Sequence, residues 1–192
     1  MKRVLYAGFS LAHSEKRVVD ALASYLDSKY GPGVVEIHYR PHPLAVPRID
    51  DYEIKNPHVV VTEHGNMLRT GLPHMDDEFI NALTEADVVV GAPTTLMLEA
   101  MLIGRPCVLD ITSDKYHRTT AGNAARRYTH MRDLLAVREL ARGETHEQLI
   151  IEVNRVLESG VVSMDYGIHH LYDTTAASYV EQLKSVLLAR PT

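Results

Sequence analysis

The sequence predicts an α/β fold, a parallel sheet of five to six strands with helices on both faces. Three observations point to it. Short, mostly apolar runs recur at residues 3–8, 34–39, 59–61, 87–91 and 106–111, as in the strands of a buried parallel sheet. Segments with helical spacing of apolar residues separate several of them. Gly and Pro punctuate the joins, and alternation of this kind calls for parallel strands joined by crossover helices.

The elements follow in order. Residues 3–8 end in Gly8 and form the first strand. Ser14 can cap a helix from Glu15, with Val18, Val19, Leu22, Ala23 and Leu26 on one face and Gly31-Pro32-Gly33 ending it. The second strand, 34–39, closes in Arg40-Pro41-His42-Pro43, a rigid turn that Pro bars from helix. Val59-Val60-Val61 is a third strand. Asp76 or Asp77 caps a helix through Ala86, strand four is 87–91, and strand five is 106–111. Residues 112–123 read as a polar loop, 124–135 as a helix, and 137–140 as a short strand. Thr145 caps a helix with Leu149, Ile150, Val153, Val156 and Leu157 inward, ended by Gly160. A last helix spans 174–188, with Ala177, Val180, Leu183 and Leu187 on one stripe.

Bulk properties narrow the function. A chain of 192 residues suits one well-buried domain, 1–192. It is 45% hydrophobic and 23% charged, which argues against disorder. A net charge of −5 gives no general attraction to nucleic acid or to an anionic membrane. No apolar run is long enough for a transmembrane segment, and the N-terminal one is too short for a signal peptide. The single cysteine, Cys107, excludes an internal disulfide and reads as a packed thiol, so a cytoplasmic setting is expected. Eleven His show no ligand spacing, so no metal site is expected.

The chemistry concentrates at 86–110. Strand four runs into Pro93-Thr94-Thr95 and then an apolar helix that stops at Gly104. Both Thr fall where a helix start presents free N–H groups, which suits a diphosphate; the plainer reading is an ordinary cap. Glu99 lies about one turn on. In a mostly apolar helix its carboxylate needs a partner, and a ribose diol or an ion pair would serve. Arg40 and His42, on a Pro-stiffened turn, suit phosphate, unless Pro merely stops the strand. Lys115, His117 and Arg118 follow strand five as loop contacts. Met67 and Leu68 are candidates for a base pocket or for irregular core. All these groups lie after strand carboxyl ends, the ligand-binding side of open parallel sheets. Dinucleotide, P-loop and nucleophile-elbow motifs are missing, and catalytic residues are not identifiable.

Three blocks resemble the C-terminal, donor-binding half of GT-B fold glycosyltransferases, similar to bacterial surface-polysaccharide and CDP-glycerol-type transferases. They are Arg40-Pro41-His42-Pro43, residues 86–109, and the trailing segments at 128–134, 147–149 and 172–177. The resemblance covers nearly the whole chain. It implies a Rossmann-like domain binding a nucleoside diphosphate sugar. Thr94, Thr95, Arg40 and His42 would hold the diphosphate and Glu99 the ribose, with no metal or cofactor. A GT-B enzyme also has an acceptor-binding domain. The chain is therefore expected to be an excised domain or one subunit of a split enzyme, inactive alone, with helix 174–188 crossing to that partner. The block at 86–109 does not separate glycosyltransferases from the related sugar-nucleotide 2-epimerases and CDP-glycerol-type phosphotransferases, which are the alternatives it implies. A non-catalytic, partner-binding scaffold is the alternative of another class.

Overall fold

The computed structural model describes residues 1–9, 15–42, 52–62, 77–113, 120–127 and 134–168. Its strands are β1 (Lys2–Ala7), β2 (Val35–Arg40), β3 (Val59–Val61), β4 (Val88–Gly91), β5 (Cys107–Asp110) and β6 (Ala141–Gly143). They form one open sheet in the order β3-β2-β1-β4-β5-β6, every pairing parallel. The helices are α1 (Glu15–Tyr30), α2 (Asp77–Glu85), α3 (Thr95–Leu102), α4 (Ala121–Arg127) and α5 (His146–Ser159).

Side-chain alternation along each strand sends one set of residues to each face. Val4, Tyr6, Ile37, Tyr39, Val88, Val90 and Val108 pack against α1 and α5. Leu5, Val89, Cys107 and Leu109 pack against α2, α3 and the 134–140 segment. The stripe expected of α1 is buried as read: Val18, Val19, Leu22, Ala23 and Leu26. Gly31, at φ 99°, lets the chain leave that helix in a conformation that only glycine adopts without strain.

Thr145 caps α5, its hydroxyl accepting the Gln148 N–H at 3.2 Å, and Gly160 ends it at φ 63°. Of the five inward residues read for α5, Leu149, Val153, Val156 and Leu157 are buried and Ile150 packs at the edge of the same cluster. The thiol of Cys107 is buried, and burial pushes its pKa up to about 12, so it packs rather than reacts.

Two boundaries differ from the sequence reading. The sixth strand is at Ala141–Gly143, not 137–140. Val137 and Leu140 instead turn into the core, and Val137 N–H bonds back to the Leu134 carbonyl at 3.2 Å. The strand starts where pairing with β5 starts, at Ala141 opposite Val108. The helix read at 124–135 begins earlier, at Ala121, inside the segment read as loop. Thr120 accounts for this: its hydroxyl accepts the Asn123 N–H at 3.2 Å and its carbonyl the Ala124 N–H at 2.9 Å. α4 is described as far as Arg127, and residues 134–136 are helical. Ser14 and the 174–188 segment lie outside the described residues.

Candidate functional site

The strand order places a topological switch between β1 and β4. The chain leaves β1 toward β2 on one side and leaves β4 toward β5 on the other, so the two exits diverge and open a crevice. Register then decides which residues share the rim. Arg40 pairs with Ala7, and Ala7 pairs with Gly91. Two strand spacings separate Arg40 from Gly91, about 10 Å. Two segments read as separate phosphate contacts, the Arg40–His42 turn and the β4–α3 turn, therefore leave the sheet at one level.

Gly91 helps to set the β4–α3 turn. A β-carbon there would stand 2.9 Å from the Ala7 carbonyl oxygen and 3.3 Å from the Met97 sulfur, so its absence lets α3 settle against the strand end. Thr94 is the N-cap, in extended conformation, with its hydroxyl accepting from Met97 N–H at 3.4 Å. Thr95 is the first residue of α3 and is exposed. The two hydroxyls thus differ: one completes the helix start, and the other faces solvent at its N-terminus. Glu99 is half-buried on the same helix, four residues after Thr95, hence on the same side one turn along. The helix is apolar as read, with Met97, Ala100, Met101 and Leu102 buried.

On the other flank, Arg40, Pro41 and His42 are half-buried. Gly8 N–H donates to the Arg40 carbonyl at 2.7 Å. A β-carbon on Gly8 would lie 2.7 Å from His42 N and 2.9 Å from Pro41 Cα. The turn is thereby pressed onto the end of β1. Burial holds the His42 imidazole below its ordinary pKa. Lys115, His117 and Arg118 lie outside the described residues, as do Met67 and Leu68. The feet of the 114–119 segment are pinned together: Ser113 and Thr120 hydroxyls are 3.0 Å apart, and Gly122 N–H donates to the Thr112 carbonyl at 3.1 Å.

Beneath this rim lies a buried polar network that sequence reasoning missed. Tyr6 donates its hydroxyl to Asp110 Oδ2 at 2.5 Å, passing over β4. Asp110 is fully buried, and its Oδ1 accepts the Thr112 N–H at 2.9 Å. A buried carboxylate needs such donors. Burial first, then the charges of Asp110 and Glu15, raise the Tyr6 pKa well above its ordinary value, so its proton stays in place. Glu15 opens α1, is 7% exposed, and accepts the Phe9 N–H with Oε2 at 3.0 Å. Phe9 packs with Ala92, Ala121 and Ala124, which ties the exits of β1 and β4 to α4. The one signal for Asp110 in the sequence was a carboxylate inside an apolar strand. For Glu15 it was an acid at a helix start, which usually faces solvent. Among the described residues, no three His, Cys, Asp or Glu are grouped to hold a metal. No helix there is long and apolar enough to cross a membrane.

No protein-family model matches the chain, and no curated protein matches it by sequence. Solved structures do match its shape. UDP-GlcNAc 2-epimerase from Neisseria meningitidis, bound to UDP-GlcNAc, aligns over 98% of the chain with TM-score 0.55 and 14% identity. The Methanocaldococcus jannaschii UDP-GlcNAc 2-epimerase, in complex with UDP-GlcNAc and UDP, aligns over 96% with TM-score 0.53 and 13% identity. A trehalose-6-phosphate synthase aligns over 100% with TM-score 0.51 and 12% identity. The chain covers 45%, 45% and 44% of those proteins, less than half of each. At these identities the likeness is one of fold. The chain has the open six-stranded parallel sheet with helices of the GT-B Rossmann-like domains.

Proposed function

We propose that the chain is the nucleotide-sugar donor-binding half of a GT-B glycosyltransferase. The observation that carries this reading is the row Arg40–Ala7–Gly91, which brings a basic, Pro-stiffened turn and a Thr-rich helix start to one rim beside the switch point. In this reading the diphosphate sits against the N-terminus of α3, with the Thr95 hydroxyl and free N–H groups as donors. Arg40 and His42 approach from the β2 side. Glu99, one turn along α3, takes the ribose hydroxyls. In the complete enzyme these groups would stabilise the charge that develops on the leaving diphosphate. Lys115, His117 and Arg118, which follow β5 in the sequence, are further candidate contacts to the ligand.

A second reading, a sugar-nucleotide 2-epimerase half, is favoured by the two epimerases, both solved with UDP-GlcNAc, among the structures that share the fold. Both readings use the same rim and the same ligand class, and the acceptor or second domain is part of the proposal in each. The test is calorimetry with UDP, CDP, GDP and ADP. Measurable heat with one of them identifies the base and supports the reading. Flat heats with all four would leave only a partner-binding scaffold.

A further inference from the structure

A hydrogen bond across the switch point leads, through a short series of contacts, to both flanks of the candidate site. Tyr6 is the penultimate residue of β1 and Asp110 the last of β5, and both are buried. Register puts Tyr6 beside Val90 and Val90 beside Val108. The Tyr6 hydroxyl therefore reaches over β4 and further along β5 to donate to Asp110 Oδ2 at 2.5 Å. Asp110 Oδ1 accepts the Thr112 N–H at 2.9 Å, which fixes the direction in which the chain leaves β5. The Thr112 carbonyl accepts the Gly122 N–H at 3.1 Å, in the first turn of α4. Beside it the hydroxyl of buried Thr120 lies 3.0 Å from that of Ser113 and accepts the Asn123 N–H at 3.2 Å. α4 then seats Ala121 and Ala124 on Phe9 and Ala92.

Phe9 and Ala92 are the junctions to the two flanks. Phe9 follows Gly8, whose N–H bonds to the Arg40 carbonyl at 2.7 Å and whose α-carbon is pressed against His42. Ala92 follows Gly91 and leads through Pro93 to Thr94, the cap of α3. The series thus leaves β1 at Tyr6 and returns to it at Phe9, a circuit around the exits of β1 and β4. The only side chains that α4 buries are those of Ala121, Ala124 and Ala125. Single methyl groups hold a helix weakly, so the bonds from Thr112 and Thr120 decide much of where it sits. A phenylalanine at position 6 would fill the same core with no hydroxyl to satisfy. One buried hydrogen bond adds modest net stability, whereas a connected buried network specifies a single geometry.

We infer that Tyr6 is a positioning residue for the ligand: through Asp110, Thr112 and Thr120 it seats α4 on Phe9 and Ala92, and so holds the Arg40–His42 turn and the β4–α3 turn in the relation that a diphosphate between them requires. The inference rests on the nucleotide reading of the rim and deepens it. Tyr6 touches no ligand in this account and acts only through the groups that follow it. Linkage makes the effect reciprocal: a ligand that engages both flanks tightens the seating of α4, and loss of the seating weakens the ligand by the same factor.

The experiment compares the parent chain with Tyr6→Phe, Thr120→Val and the double variant. Each substitution keeps the side chain's shape and removes one hydroxyl, at opposite ends of the series, so Thr120→Val carries the test if Tyr6→Phe does not fold. Amide hydrogen exchange by NMR reads the seating of α4 at Gly122, Asn123 and Ala124, whose N–H groups bond to Thr112 and Thr120. Leu149 N–H, bonded to the Thr145 carbonyl in α5, is the control. In either variant the α4 amides are expected to exchange about tenfold faster or more while Leu149 is unchanged. Calorimetry with UDP, CDP, GDP, ADP and inorganic pyrophosphate reads binding. Affinity is expected to fall about threefold to tenfold in each single variant, the range for residues that act on a site through a network. It should fall no further in the double variant, because both changes break one series. Equal acceleration at Leu149 would mark Tyr6 as merely structural. Loosened α4 amides with unchanged affinity, or losses that add in the double variant, would also overturn the inference. The nucleotide reading fails separately. If pyrophosphate binds the parent and weakens in the variants while none of the four nucleotides binds, Tyr6 retains its role and the nucleotide assignment falls. No heat with any of the five would overturn both.

Discussion

Gly8 and His42 are in backbone contact: a β-carbon on Gly8 would stand 2.7 Å from the His42 nitrogen, and Gly8 N–H bonds to the Arg40 carbonyl just before it. Nothing flexible lies at this contact, because the opposing atoms belong to the main chain and to Pro41. Gly8→Ala is therefore expected to push the Arg40–His42 turn outward, at a cost of about 1–3 kcal/mol, typical of overpacking. Urea unfolding reads that cost. Calorimetry should show a larger loss for a nucleoside diphosphate than for the bare nucleoside, since the turn is assigned to phosphate. Wild-type stability together with wild-type affinity would show that this contact holds nothing in place.

The unequal roles of Thr94 and Thr95 separate folding from binding. Thr94 caps α3, so Thr94→Val is expected to lower stability by about 1 kcal/mol. Thr95 is exposed, and Thr95→Val should stay within about 0.5 kcal/mol of the parent. The double variant is expected to weaken nucleoside diphosphate binding by about 1–3 kcal/mol, the scale of hydrogen bonds to a charged group, with much less effect on the nucleoside. Thermal melts and calorimetry on the same samples check both halves. Equal losses for the two ligands would indicate damaged folding and remove the phosphate assignment.

His42 gives the site a pH dependence whose sign is fixed. Burial lowers its pKa in the free protein, so near neutral pH it is mostly uncharged there. A bound phosphate favours the protonated ring, so binding takes up a proton. Affinity should fall as pH rises from about 5.5 to 8, on either side of an ordinary His pKa. His42→Ala should be weaker at the acid end and flat across the range. Calorimetry in buffers of different ionisation enthalpy measures the proton uptake. A parent affinity that does not change with pH would mean that His42 is not a charged ligand to phosphate.

The sequence carried the fold because its signals were local. Val88–Gly91, flanked by Asp87 and Pro93, could only be a buried strand, and Thr145 to Gly160 contains both helix ends in its own residue types. The α4 start was misread because Ala121-Gly122-Asn123 is weak helical sequence. Thr120 and the carbonyl of Thr112 fix it from outside that stretch. The sixth strand had no signal of its own beyond its pairing with β5. The same distinction governs the site. Thr94 and Thr95 were legible because a helix start is written in adjacent residues. Tyr6 with Asp110, 104 positions apart, and Gly8 against His42, are products of strand order, which no spacing rule reveals.

The segment leading into β3 should govern acid stability. Asp20 accepts hydrogen bonds from the Tyr52 hydroxyl and from Lys55 N–H and Asn56 N–H. Burial alone would raise its pKa, but these bonds outweigh it and the pKa is lowered. Asp27 behaves alike, with burial opposed by His58, Asn56 and Gly33. A carboxylate whose folded pKa is depressed contributes stability that is present above its unfolded value, near 3.9, and lost as pH falls through the folded one. Stability should therefore drop steeply below about pH 4. Asp20→Asn should flatten that drop while lowering stability near neutrality by about 1–3 kcal/mol. Urea titrations from pH 2.5 to 7 would show parallel curves for parent and variant if Asp20 contributed nothing.

The last prediction concerns what the chain does alone. In the reading proposed above, Thr95, Arg40 and the α3 start bind phosphate, and the titratable side chains of the same rim, His42 and Glu99, are assigned to the donor rather than to an acceptor hydroxyl. The solved structures that share the fold are more than twice as long, so a second body beside this one is part of the proposal. If the acceptor binds that body, the isolated chain lacks the proximity that converts a bimolecular encounter into an ordered one, a contribution of about 7–11 kcal/mol to the barrier. The expected outcome is nucleotide binding without transfer: heat with one of the four diphosphates, and no release of it from the matching sugar nucleotide when a polyol acceptor is added. Coupled release assays detect slow turnover well. Robust transfer by the purified chain, with no second protein present, would show that this half contains its own acceptor site and base, and would overturn the division of labour argued here.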